Sequence, residues 1–126
     1  MSRVRVKVCG ITNARDLETA VHAGADAVGF IVGFPASPRN LNLETAKELM
    51  SKVPVFVDAV AVVPAAELRL IHSIASRCHP DVFQLHGGAR TDPPASLPLG
   101  FRFVRVLSAK SPHSARRRIR NHPPAR

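Results

Sequence analysis

Cys9 closes the stretch "VRVKVC" and is followed at once by Gly10. A thiol at such a point either packs as a small hydrophobe or, once ionised, serves as a base or nucleophile. Val4, Val6 and Val8 alternate with Arg5, Lys7 and Cys9. That is the period of a strand, so Lys7 and Cys9 project from the same side of it. An ammonium beside a thiol favours the thiolate, at about 1.4 kcal/mol for each unit by which the thiol's pKa falls. Cys9, with Lys7 supporting its ionisation, is therefore a candidate base or nucleophile. Cys78 falls on the apolar stripe of a predicted helix and reads as a packing residue.

Arg39 ends "SPR" in the proline-braced loop "GFPASPRN". An arginine there is either solvated or a grip for a substrate carboxylate, which its planar fork matches. "QLHG" puts Gln84 and His86 on one face of a strand and Phe83 and Leu85 on the other, and two polar side chains inside a sheet need partners. His72, His79, His113 and His122 read as ordinary structural or surface histidines. No metal is expected, because Cys78 and His79, adjacent on a helix, diverge and the usual carboxylates are missing. Asp58 begins a strand at the edge away from these groups and reads as a turn residue. No glycine run of the phosphate-cradling kinds is present.

The elements that must position these groups alternate. A first strand runs to Cys9, and Asn13 caps a helix expected over 14–23. "ADAVGFIV" is a nearly continuous apolar run, suited to a strand covered on both faces. Asn42 caps a second helix over 43–53, which Pro54 ends. "DAVAVV" is the third strand, and Pro64 suits the first turn of a third helix carrying Leu68, Ile71, Ala75 and Cys78. "DVFQLHG" and "FRFVRVL" are the fourth and fifth strands. Pro93, Pro94 and Pro98 between them keep any fourth helix short or absent. Strand and helix in alternation give parallel pairing through right-handed crossovers, with ligands at the carboxyl rim of the strands. Cys9, Arg39, Gln84 and His86 all fall on that rim.

Composition narrows the setting. The chain has 126 residues and is 45% hydrophobic, enough for one globular unit. It shows neither a membrane-length apolar run nor a signal peptide, so the expected location is cytoplasmic, with both cysteines reduced. The net charge of +9 suggests nucleic acid at first. Yet Lys110, Arg116, Arg117, Arg118, Arg120 and Arg126 follow the last acidic residue, Asp92, and the chain has no Trp or Tyr to stack on bases. Nucleic acid is therefore not the expected partner of the body. Two regions are expected: a domain over 1–109, and a basic tail over 110–126 that lacks apolar periodicity and is read as disordered or poorly packed.

"KVCGIT", "AGADAVGF", "SPR" and "VFQLHG", in this order and spacing, resemble phosphoribosylanthranilate isomerase of tryptophan biosynthesis. The resemblance implies a (β/α)8 barrel of which this chain holds about five parallel strands, lacking strands 6 to 8. It implies an Amadori rearrangement, an aldose-to-ketose isomerisation of N-(5'-phosphoribosyl)anthranilate to 1-(2-carboxyphenylamino)-1-deoxyribulose 5-phosphate, with no cofactor or metal. Carried over, Cys9 is the general base, Lys7 its neighbour, Arg39 the contact for the anthranilate carboxylate, and Gln84 and His86 line the site. The family's general acid, an aspartate ending strand 6, and its phosphate loops after strands 7 and 8 have no counterpart here.

Five strands of such a barrel leave unpaired edges and an open apolar interior. The chain is accordingly expected to be a truncated form, weak or inactive alone, with self-association through its exposed edges. A different class of function is a non-catalytic half-barrel interaction module whose basic tail makes electrostatic contacts. The switch to Arg, Pro, Ala, His and Ser after the fifth strand is what a change of reading frame would give. Translating the next frame of the gene past Lys110 is then expected to yield a strand ending in Asp followed by Gly-rich loops; a frame with neither refutes this.

Overall fold

A computed structural model describes residues 3–87 and 96–121. Its elements run β1 (Lys7–Cys9), α1 (Ala14–His22), β2 (Ala27–Val32), β3 (Asn40–Leu41), α2 (Leu43–Ser51), β4 (Asp58–Pro64), α3 (Leu68–Cys78), β5 (Val82–His86), β6 (Arg102–Arg105) and α4 (Pro112–Asn121). The strands form one parallel sheet in the order β1-β2-β4-β5-β6. Short β3 pairs with Ile31 and Val32 at the end of β2. Strand order follows chain order, as successive right-handed crossovers of a barrel wall require.

The register sorts the side chains into two faces. Val28, Phe30, Ala61, Val63 and Phe83 point to one side and are completely buried. They meet Leu17 and Ala20 of α1, Ala46, Leu49 and Met50 of α2, and Ile71, Ile74 and Ala75 of α3. Phe83 also stacks on Phe103 at 5.5 Å and meets Phe101 edge-on at 5.3 Å. The opposite, concave face holds a smaller apolar cluster of Val60, Val62 and Val82 with Ala27, Ile31 and Phe34 packed against it. Lys7, Cys9, Gly29, Gln84 and Arg102 belong to this concave face by register.

Local signals start the helices as expected. Asn13 Oδ1 accepts from Asp16 N–H at 2.8 Å, and Asn42 Oδ1 accepts from Thr45 N–H at 2.8 Å. Pro64 is a correction: it ends β4 opposite His86 instead of opening α3, which starts at Leu68. The last position of a strand tolerates a residue without an N–H, while the Pro64 carbonyl still accepts from Glu67 N–H at 3.1 Å. Asp58 begins β4 at the edge away from the rim, as expected, and there it pairs with Arg102 at 3.1 Å. The segment "GFPASPRN", read wholly as loop, delivers β3, which is too short to show a period.

The basic segment after Lys110, expected to be disordered or poorly packed, holds a helix over Pro112–Asn121. Ser111 and Ser114 cap one another: Ser111 Oγ accepts from Ser114 N–H at 3.1 Å and Ser114 Oγ from Ser111 N–H at 2.9 Å. Pro112 takes the first helical position, where its missing N–H costs nothing. The capping is local, and the helix keeps most of its side chains exposed, Ile119 among them. Pro93 and Pro94 lie outside the described residues, and the described 96–100 form no helix. Among the described residues no helix is long and apolar enough to cross a membrane.

An ionic clasp fastens the start of β1 to β2. Asp26 accepts from Val6 N–H at 2.8 Å and pairs with Arg3. The Val6 bond first, then the Arg3 guanidinium, hold its carboxyl below the ordinary 3.8. A lowered carboxyl stabilises the fold above its unfolded value, and that stability is lost as pH falls through the lower folded value. Asp26→Asn is expected to lower the thermal midpoint at pH 7, and the deficit should shrink as pH falls below 3.8 and vanish only below the lower folded value, where the wild-type carboxyl is protonated in the folded chain as well. Thermal melts of both proteins across pH 2–7 check this; a deficit independent of pH would contradict the clasp.

Candidate active site

β1 delivers Lys7 and Cys9 to the concave face at the carboxyl rim, and both are exposed. Lys7 Nζ lies 3.8 Å from Cys9 Sγ and donates a hydrogen bond to Gln84 Oε1 on β5. β1 and β5 are separated by β2 and β4. In a flat sheet, three spacings of about 4.8 Å would hold their backbones about 14 Å apart. Curvature of the barrel wall is what brings the two side chains together across the concavity.

The chain turns sharply after Cys9. The Gly29 carbonyl accepts from both Gly10 N–H at 2.9 Å and Ile11 N–H at 3.0 Å, anchoring the end of β1 to its neighbour. Gly10 has φ +86°, and a methyl group there would stand 2.6 Å from Arg39 Cδ. The stem of Arg39 therefore lies directly over the peptide that follows Cys9. The loop carrying Arg39 is closed by Asn40 Oδ1 accepting from Phe34 N–H at 2.8 Å, and Ser37 Oγ accepts from Arg39 N–H at 3.2 Å. Short polar side chains bonded to nearby backbone give the loop a definite shape.

His86 takes a neighbouring position. Its ring meets Phe34 edge-on at 5.6 Å. With Ile31, Phe34, Ala36, Ser37 and Val62 it lines a cavity of about 390 Å³. The volume falls in the range of small-molecule pockets, and the lining is mainly apolar with a few polar groups, as such pockets are. The cavity walls suit an apolar group, and Arg39 follows its lining loop as a candidate partner for an anion. Asp58, although on the concave face, stands at the amino-terminal edge in its pair with Arg102. The strands thus present a thiol and cations at the rim and a paired carboxylate at the base.

Of the five residues singled out from sequence, the structure joins Lys7, Cys9 and Gln84 in one contact chain. It lays Arg39 over Gly10 beside them and places His86 in the adjoining cavity. Phe34, Asn40 and Gly29 were missed. The signal for Gly29 was available, because a glycine inside an apolar strand weakens it and marks a close approach. Cys78 is half-buried, and burial pushes its thiol up, in keeping with packing. Among the described residues no group of three or more His, Cys, Asp or Glu stands where it could hold a metal ion.

Residues 6–121 match the family model of N-(5'-phosphoribosyl)anthranilate (PRA) isomerase, a range that takes in α4. The chain is 37% identical over 110 residues to the N-(5'-phosphoribosyl)anthranilate isomerase of Bordetella pertussis, covering 87% of this chain and 49% of that protein. It superposes on the phosphoribosylanthranilate isomerase of Thermotoga maritima with a TM-score of 0.82 at 32% identity, covering 94% of this chain and 57% of that one. An isomerase structure in complex with reduced 1-(o-carboxyphenylamino)-1-deoxyribulose 5-phosphate gives the same TM-score and identity, with 94% and 60% covered. The chain spans about half the length of the curated relatives it matches.

The Lys7 contact has a measurable consequence. An ammonium about 4 Å away attracts the negative charge that sulfur carries as it reacts, by about 1 kcal/mol in water or roughly fivefold in rate. Lys7→Met is expected to slow alkylation of Cys9 by iodoacetamide at pH 7 about fivefold, read by peptide mass spectrometry with Cys78 as the internal reference. Equal slowing at both cysteines would point to a general change and not to this contact.

Proposed function

The chain belongs to the N-(5'-phosphoribosyl)anthranilate isomerase family, and from that premise we propose that it carries the base-bearing part of the isomerase site in tryptophan biosynthesis. The reaction is the Amadori rearrangement of N-(5'-phosphoribosyl)anthranilate to 1-(2-carboxyphenylamino)-1-deoxyribulose 5-phosphate, in the cytoplasm and without cofactor or metal. A general acid protonates the ribose ring oxygen, and the furanose opens to a Schiff base. The Cys9 thiolate then takes the C2' proton, and the enolamine tautomerises to the ketone. Lys7 favours the thiolate, and Gln84 holds Lys7 in place.

Arg39 grips the anthranilate carboxylate, and the ring sits in the cavity beside His86 and Phe34. The observation that carries the reading is the thiol at the rim with Lys7 Nζ at 3.8 Å and Arg39 over the next peptide. No residue of β1 to β6 takes the part of the acid or of the phosphate anchor. The reading assigns both to the later strands of a complete barrel, which also cover the open edges of β1 and β6. Without them those edges favour self-association.

A second reading rests on α4, where Arg116, Arg117, Arg118 and Arg120 are exposed and no acidic residue stands in the first turn. It makes the chain a non-catalytic half-barrel module that contacts an acidic polymer.

Complementation of a tryptophan auxotroph lacking the isomerase separates the two. The 126-residue chain alone is expected to give weak or no growth. Co-expression with the C-terminal half of the Bordetella pertussis relative is expected to restore it. Cys9→Ala should then cut activity by about 10²–10⁴-fold, the usual worth of a positioned base. Restored growth that ignores Cys9→Ala would refute the assignment of the base. No growth in either setting, with salt-sensitive polyanion binding lost on deleting 116–126, would favour the module.

A further inference from the structure

We propose that Gly29 is a positioning residue for Cys9, its missing side chain being the seat in which the thiol rests. Cys9 and Gly29 are register partners on β1 and β2, with their side-chain directions on the same concave face. A methyl group added at Gly29 would stand 2.7 Å from Cys9 Sγ, 3.3 Å from its Cα and 3.4 Å from its Cβ. The sulfur therefore fills the volume that any other residue at position 29 would occupy.

The backbone has no freedom to step away. The Gly29 carbonyl accepts from Gly10 and Ile11 N–H, so Cys9 is tied through the next two residues to the strand its side chain overlies. Gly29 keeps an ordinary strand backbone without positive φ, and its flanking residues Val28 and Phe30 are completely buried. Turn geometry does not call for glycine at this point, and a glycine inside a strand weakens it. What the position does require is space beneath the thiol.

The seat matters because it sets what the thiol faces. Resting over Gly29, Sγ stays within 3.8 Å of Lys7 Nζ, itself held by Gln84. A side chain at position 29 would turn the sulfur to another rotamer and break that approach. The inference rests on the reading of Cys9 as the base, but its test reads the thiol and the fold directly and needs no turnover.

Gly29→Ala, Cys9→Ala and the double variant of the 126-residue chain are compared by thermal melting and, where Cys9 is present, by iodoacetamide alkylation at pH 7 with Cys78 as reference. Gly29→Ala is expected to slow Cys9 alkylation about fivefold and to make it indifferent to Lys7→Met. It should also lower the thermal midpoint, with at least half of that loss recovered when the sulfur is removed in the double variant. A glycine needed only by the strand would cost the same with and without the sulfur, and that result overturns the proposal, as does unchanged alkylation. If Gly29→Ala alone does not fold, folding of the double variant supports the proposal and failure of both overturns it.

Discussion

The curvature of the parallel sheet is the constraint from which the rim takes its chemistry. Lys7 and Gln84 belong to strands with two others between them, yet they share a hydrogen bond. Twisted parallel strands with α1, α2 and α3 packed on one side bend around the helix-free face. The lysine spans the resulting concavity and leaves its ammonium beside the Cys9 thiol. Flattening the sheet by a few ångströms would separate the pair without disturbing either strand's own conformation.

That curvature is maintained from the other side. The buried layer of Val28, Phe30, Ala61, Val63, Phe83, Ile71 and Ile74 lies between sheet and helices, where apolar burial provides the main stabilisation. The concave face contributes only a small cluster around Val60, Val62 and Val82. Division of labour between the faces explains why polar and reactive groups are tolerated at the rim: they sit where little apolar surface is buried, so their hydration is not sacrificed. The glycines follow the same logic. Gly10 and Gly29 leave room for Arg39 and Cys9 at the two places where backbone and functional side chain come closest.

Much of the architecture was legible because the chain alternates two clear periods. Alternating valines, a continuous apolar run and Asn-capped helices located β1, β2, α1 and α2 within three residues at each end, and four short motifs in register identified the family. Local chemistry left the rest open where one residue type serves two structures. Pro64 satisfied a helix start as well as a strand end, and pairing opposite His86 settled the choice. The segment after Lys110 lacks apolar periodicity, yet the reciprocal Ser111 and Ser114 bonds and Pro112 supply a helix start that needs no burial.

Sequence by itself determined which residue types stand at the ends of strands, since side-chain alternation and the strand-helix rhythm are local properties of the chain. It placed Lys7 with Cys9 on one side of β1 because residues two apart on a strand must share a face. Tertiary structure alone decided that Gln84 accepts a hydrogen bond from Lys7, that Arg39 crosses Gly10, that Gly29 lies beneath the thiol, and that His86 faces Phe34 in a separate cavity. These contacts join Cys9 to Gly29, 20 positions on, and Lys7 to Gln84, 77 positions on. They depend on register and curvature, which arise only when several strands and helices pack at once.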